Sequence, residues 1–358
     1  MLDLLSEPYL IIAAFIVSLV ITAVSIPSII KVAELKQLFD EPNERTVHSK
    51  SIPTLGGIAI FSGFMVSALF FSDFSEIPEL KFVLAATVIL FFVGIKDDIL
   101  VIAPLTKLLG QILAVSIIAF FSDLQFTDLH GFFGIHHISP YFGIPLTIFV
   151  YLVIVNGFNL IDGIDGLSAG IGVAAASVLG IWFFLVKEYH YAVLSAAVVG
   201  ALIGFLRYNV FSKKNKIFMG DTGSLILGLV ISVLIVKFNE MNINQNFEYS
   251  KYAAPAISIA ILTIPLYDTL RVMFIRFFQK KPLFKPDKQH IHHIFIRLGL
   301  NHKQAVLILI LINLFFSAAA MYLHNLMGIR RLILLLLLAA MIIFYIPIII
   351  LNIKNRKK

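Results

Sequence analysis

The sequence predicts an all-α fold, a polytopic membrane bundle of about eleven transmembrane helices, and three observations lead there. Of its 358 residues, 59% are hydrophobic and 14% charged, against about 45–50% and about 25% in soluble domains. The mean hydropathy is +0.95. Apolar runs recur along the whole chain at the length of roughly 20 residues that a bilayer-crossing helix requires. This composition excludes a soluble globular enzyme, a disordered chain and a nucleic-acid binder. Thirty-three Phe add apolar bulk that a water-facing surface would not hide. Cysteine is absent, which excludes disulfides, a thiolate nucleophile and Cys-ligated metal. The first apolar run starts at Pro8 with no basic region before it and is too long for a signal core, so no cleavable leader is expected.

The predicted spans are 8–30, 54–72, 79–95, 104–122, 143–158, 166–186, 189–209, 222–238, 252–275, 304–325 and 329–352. The fifth is the shortest, and only Lys187-Glu188-Tyr189-His190 divides the sixth from the seventh. No internal repeat and no soluble domain are visible. The chain therefore reads as one membrane domain, 1–358, with chemistry on the loops 31–53, 96–107, 156–166, 207–221 and 276–303. The stretch 123–142 mixes Gly with aromatics and predicts a short hairpin on the opposite face.

Charge orients the bundle. Loops after odd-numbered spans, with the C-terminus, hold 22 of the 28 Lys and Arg, and the other side holds 6. By the positive-inside rule the first set is cytoplasmic and the N-terminus lies outside. The acids divide almost evenly, so the inner face is net positive and would attract an anionic substrate. Arg330-Arg331 on the outer side runs against the rule.

Every polar cluster that suggests chemistry falls on that inner face. Asp97-Asp98 end the third span in FFVGIKDDIL, where two adjacent carboxylates invite a cation or simply form a polar boundary turn. In VNGFNLIDGIDGLSAG, Asn159, Asp162 and Asp165 recur every three residues and would share roughly one helical face. That loop has no Lys or Arg, so its acids lack a local partner, although solvated caps are the plainer alternative. In FMGDTGS, Asp221 and Ser224 sit among glycines at the start of the eighth span. A helix N-terminus there favours phosphate, while Asp221 is equally an N-cap or a Mg²⁺ ligand. The loop after span nine carries His290, His292 and His293 among lysines, which looks more like a pyrophosphate clamp than a closed zinc site. Arg45, His48 and Lys50 precede the PTLGG turn at 53–57. Carboxylates for a divalent metal, cations for phosphates and glycines for close backbone approach together suit phosphoryl transfer.

Five ordered strings, PTLGG (53–57), DD (97–98) with KLLGQ (107–111), NLIDGIDGLSAG (159–170), FMGDTGS (218–224) and DKQHIHH (287–293), span nearly the whole chain. In this set the chain resembles the polyprenyl-phosphate N-acetylhexosamine-1-phosphate transferases, the family of MraY, WecA and TagO. The resemblance implies transfer of a sugar-1-phosphate from a UDP-amino sugar to undecaprenyl phosphate, with release of UMP and dependence on Mg²⁺, Mn²⁺ being the substitute. It implies that Asp221 holds the metal, that Asp97 and Asp98 act on the lipid phosphate and the metal, and that Asn159, Asp162, Asp165 and Asn209 line the nucleotide side. Lys50, Ser224, Arg276, His290, His292 and His293 are expected to bind substrate. DKQHIHH and the basic insert between Asn209 and Asp221 are similar to the WecA/TagO branch, which implies UDP-GlcNAc rather than UDP-MurNAc-pentapeptide. The resemblance also implies a bacterial inner membrane, membrane lipids as neighbours and a homodimer. An ion-coupled transporter is the reading from another class, since helix-end acids and glycine-broken helices serve transport too. It would need acids near the midplane and access from both faces, whereas these cluster on one.

Overall fold

A computed structural model describes residues 7–38, 52–244, 246–280 and 290–356. Lys50, like Arg45 and His48, lies outside the described residues. All eleven predicted apolar segments are helical. They form α1 (Glu7–Lys36), α2 (Gly56–Phe71), α3 (Leu80–Leu100), α4 (Pro104–Phe121), α5 (Pro140–Ile161), α6 (Leu167–Leu185), α7 (Tyr189–Leu206), α8 (Gly220–Met241), the pair α9 (Ala254–Ile261) and α10 (Thr263–Phe278), α12 (His302–Leu323) and α13 (Ile329–Arg356). Between α10 and α12 lies the short α11 (Ile291–Arg297). Among the described residues, eight helices are long and apolar enough to cross a membrane, and a ninth span results if α9 and α10 are taken together. α2 has 16 residues, and α3 carries Lys81, Lys96, Asp97 and Asp98 along its 21.

Local chemistry sets several boundaries. Pro104 and Pro140 open α4 and α5, where a missing N–H costs nothing. Asn301 and Gln304 form a capping box that starts α12. The divide between α6 and α7 falls at Val186–Glu188, where Lys187 turns the chain with φ of 65°. The predicted hairpin is present, as β1 (Asp128–Phe132) paired antiparallel with β2 (Ile135–His137). Glu240 of α8 anchors it, accepting from the Thr127 amide at 3.0 Å and the Thr127 hydroxyl at 2.6 Å. The Arg330 guanidinium lies against its turn glycine, Gly134, which places this basic pair beside the hairpin.

α8 is the central post. Seventeen of its 22 residues are buried, as expected of a helix that is apolar all round. α2, α3, α5 and α6 pack on it, and α1 covers α2 and α7. Polar residues tie the outer helices without breaking the apolar interior: the Ser18 hydroxyl donates to Ala197 O at 2.6 Å and that of Ser67 to Ala14 O at 2.7 Å.

Two features depart from the sequence expectation. The seventh span ends in a π-helical turn, Arg207–Phe211. The ninth is not one continuous helix: it breaks at Leu262, and α9 and α10 diverge by 79°. Pro265 is the cause, because it has no N–H to return to Ile261 O and its ring would clash there. Asn313 of α12, fully buried, fills the gap. Its side chain donates to Ile261 O at 2.8 Å and accepts from the Ile264 amide at 3.3 Å.

Candidate active site

The site forms where the C-terminal ends of α3 and α5 meet the N-termini of α4 and α8. Two glycine contacts make the approach close enough. A Cβ at Gly94 of α3 would lie 2.4 Å from Thr222 Cα, and one at Gly57 of α2 would lie 2.2 Å from the Gly223 amide nitrogen. Gly220 starts α8 with φ of 72°, and a Cβ there would strike Thr54 O at 2.1 Å. The PTLGG segment pairs with FMGD as a short ladder. Phe218 N–H donates to Pro53 O at 2.8 Å, Gly56 N–H to Phe218 O at 2.9 Å and Gly57 N–H to Met219 O at 2.8 Å.

The two adjacent acids have different duties. Asp98 accepts from the amides of Asp221 (2.6 Å) and Thr222 (3.1 Å) and from the Thr222 hydroxyl (2.6 Å). Both its oxygens are thus spent on the α8 N-terminus, where a carboxylate complements the helix dipole. In this arrangement Asp98, expected from the sequence to act on the metal, anchors the α8 N-terminus. Asp97 accepts from the Ile102 amide at 2.8 Å and pairs with Lys107 at 3.0 Å.

Lys107 is the hub. Its ammonium also lies 2.8 Å from Asp221 and 3.2 Å from Asn159 Oδ1. Asn159 in turn donates to Asp221 and, at 2.9 Å, to the Ser224 hydroxyl. Asp97, Asn159, Asp221 and Ser224, from three separate sequence clusters, therefore share one network. Asp162 follows α5, and its carboxylate has no hydrogen bond or ion pair among the described residues. Withdrawal from water, with Asp221, Asp98 and Asp165 nearby, pushes its pKa well above the usual carboxylate range. Asp165 stands aside from this network, paired with Lys216 at 2.6 Å and with His302 Nδ1 at 3.7 Å.

The histidine segment joins from the far side. A Cβ at Gly163, next to Asp162, would lie 2.7 Å from His292 Nε2. His290 and His292 stack with centroids 5.7 Å apart and ring planes at 5°, and His293 lies against His292 at 4.3 Å. His292 is buried, and among the described residues neither ring nitrogen has a partner; burial first, then His293, brings its pKa down to about 3. Asn209 does not reach this network: its Nδ2 donates to Ile217 O at 2.8 Å and shapes the turn before FMGD. Arg276 is buried in the last turn of α10.

Sequence reasoning missed four residues. Lys107 appeared only as the first letter of KLLGQ, although a lysine opening an apolar helix just after paired acids is a usable signal. Asp268 and Arg271 lie inside an apolar stretch, where ionisable residues are functional by default. Asn313 carried no signal beyond being polar in an apolar run.

The donor set fits a hard divalent cation. Among the described residues, acids outnumber the one lysine of the network, the Asp162 carboxylate has no partner, and the Asp221 side chain keeps 30% of its surface open. No cluster of three or more His, Asp or Glu closes a metal shell among the described residues. Mg²⁺ binds through one or two carboxylates and takes its other ligands from water and phosphate.

Comparison with known proteins identifies the family. Residues 80–239, from the start of α3 to near the end of α8, match the model of "Glycosyl transferase family 4". A Bacillus subtilis (strain 168) protein named "Probable undecaprenyl-phosphate N-acetylglucosaminyl 1-phosphate transferase" is 34% identical over 88% of this chain and 85% of its own length. The undecaprenyl-phosphate alpha-N-acetylglucosaminyl 1-phosphate transferases of Yersinia pestis and Escherichia coli (strain K12) are 30% and 28% identical, each over 78% of this chain and 75% of theirs.

Proposed function

The chain belongs to glycosyl transferase family 4, and from that premise we propose that it moves GlcNAc-1-phosphate from UDP-GlcNAc to undecaprenyl phosphate, releasing UMP. It is a multi-pass membrane protein. The observation that carries the reading is the Lys107 network, which gathers Asp97, Asn159 and Asp221 from separate helices at one end of the bundle.

A phosphate monoester is largely ionised at neutral pH, so the acceptor needs no strong base. It needs position and charge neutralisation. In the proposed step an oxygen of the lipid phosphate attacks the β-phosphorus of the donor. A new P–O bond forms, the bond from the β-phosphorus to the bridging oxygen breaks, and the oxygen leaves with UMP. Lys107 neutralises Asp97 and Asp221 as anions gather, and Asn159 holds Asp221 in place. Asp98 fixes the α8 N-terminus by accepting from its Asp221 and Thr222 amides, and so sets the place of Asp221. Asp221 and Asp162 are the residues that would hold Mg²⁺, or Mn²⁺ in its stead. When bound, the ion supplies Lewis-acid neutralisation of phosphate charge. Direct displacement is favoured over a phosphorylated carboxylate because the oxygens of Asp97 and Asp98 are already engaged.

The charge map supports eleven crossings, with the N-terminus outside and the site at the cytoplasmic face of a bacterial inner membrane. The proposed partners are the UDP-amino sugar, undecaprenyl phosphate, surrounding lipid and a second copy of the chain. The test supplies purified protein with undecaprenyl phosphate, Mg²⁺ and a panel of UDP-sugars, and follows UMP. Release with UDP-GlcNAc, abolished by EDTA and by Asp221→Ala, is the expected result. Release with another UDP-amino sugar alone would overturn the donor, and none with any donor from folded protein would overturn the reaction.

A further inference from the structure

Among the described residues, Asp268 is a fully buried acid that the proposed chemistry leaves unused. It lies in α10, its side chain fully buried, six residues beyond the break at Leu262. Its carboxylate accepts from Arg271 Nη2 at 2.9 Å and from the Ile291 amide at 3.0 and 3.2 Å, and it meets His290 Nδ1 at 2.9 Å. Ile291 is the first residue of α11, and His290, its N-cap, makes no side-chain cap of its own. A carboxylate from another helix therefore does the capping.

The same contacts fix a proton. With Arg271 and the Ile291 amide both donating, Asp268 is an acceptor and an anion, so the proton between it and His290 sits on Nδ1. Nε2 is then the nitrogen that His290 offers elsewhere. His290 stacks on His292, and His292 rests against Gly163 beside Asp162. A continuous contact path runs from a buried acid in α10 to the loop that carries Asp162.

We propose that Asp268 is a positioning residue of the transferase: it docks the His290–His293 segment on α10 and keeps a proton on His290 Nδ1, so that Nε2 is the ring nitrogen left to face the site. The catalytic half of this inference rests on the transferase reading; the place of the proton does not.

Histidine-selective ¹⁵N NMR of the detergent-solubilised wild type, with His290 identified by its loss in His290→Gln, reads the protonated nitrogen with no turnover required. A proton on His290 Nδ1 is expected, and protonation on Nε2 alone would overturn the proposal. Turnover is then compared among wild type, Asp268→Asn, His290→Ala and the double variant. Asp268→Asn is expected to lower kcat about 10–100-fold, the usual effect of removing an orienting partner, with a smaller change in KM for the UDP-sugar. Because Asp268 acts through His290, the double variant should be no slower than His290→Ala. Losses that multiply, or Asp268→Asn turnover within threefold of wild type, would overturn it. Wild type inactive with every donor would instead indict the transferase reading, and the NMR result would still decide the positioning.

Discussion

Gly94→Ala tests the close approach of α3 and α8 on which the site depends. The added methyl carbon would lie 2.4 Å from Thr222 Cα and 2.6 Å from Thr222 N, both backbone atoms, where ordinary contact begins at 3.4 Å. The helices must therefore part by about 1 Å. Asp98 reaches α8 at 2.6, 2.6 and 3.1 Å, and the same displacement carries these contacts to about 3.6 Å or more, beyond hydrogen-bond range. Overpacking costs about 1–3 kcal/mol, and each bond to a charged acceptor is worth about 1.5–3 kcal/mol. With partial relaxation, a net loss of about 3 kcal/mol is expected. Misplacing reacting groups by about 1 Å lowers turnover on the order of 100-fold. The assay is UMP release beside thermal unfolding in one detergent, with Gly328→Ala as the neutral control because nothing lies within 4 Å of its Cβ position. Turnover of Gly94→Ala within threefold of wild type would show that the α3–α8 contact yields without cost and refute the reasoning.

Other expectations follow from the same geometry. Lys107→Met leaves Asp97 and Asp221 facing each other unneutralised. A loss of about 3–5 kcal/mol, as for one partner of a buried pair, predicts turnover down roughly 100-fold or more, and near-normal UMP release would contradict the hub assignment. His292 has its pKa brought down to about 3 in the fold, against about 6.5 unfolded. The unfolded state takes up the proton first, so stability is lost as pH falls below about 6.5, by about 2 kcal/mol at pH 5. Denaturation of wild type and His292→Gln at pH 7 and pH 5 isolates this share, and equal slopes for the two would dismiss it. Asn313→Leu strands Ile261 O and the Ile264 amide, at about 1–3 kcal/mol for each buried group. A thermal midpoint unchanged from wild type would mean the break needs no support.

Much of this was legible in the sequence because membrane helices announce themselves by length and apolarity. Asp97, Asn159, Asp162 and Asp221 were readable as well, since carboxylates and glycines stand out where apolar runs end. What stayed hidden depends on pairings across the chain. That Asp98 caps α8 while its neighbour Asp97 pairs with Lys107 follows from the orientation of α3, which no local pattern encodes. Asn209, Asp165 and Lys216 look alike as polar residues near glycines. The fold divides them between supporting the turn before FMGD and facing a neighbouring loop. The break at Leu262 was the largest surprise, although Pro265 marked it. Hydropathy summed over 252–275 has no means of registering a bend.

The Asn313 bridge bears on the order in which the chain can be assembled. When α9 and α10 first enter an apolar environment, Ile261 O and the Ile264 amide have no partner, and the residue that supplies both lies about fifty positions downstream. The bend is thus not complete until α12 has been synthesised and packed. Before that moment α10 has no reason to hold its final angle, and Asp268 has no fixed place from which to seat the histidines. Maturation of the catalytic end therefore waits on a helix that contributes its asparagine from elsewhere in the bundle, and a chain halted before α12 would be inserted but inactive.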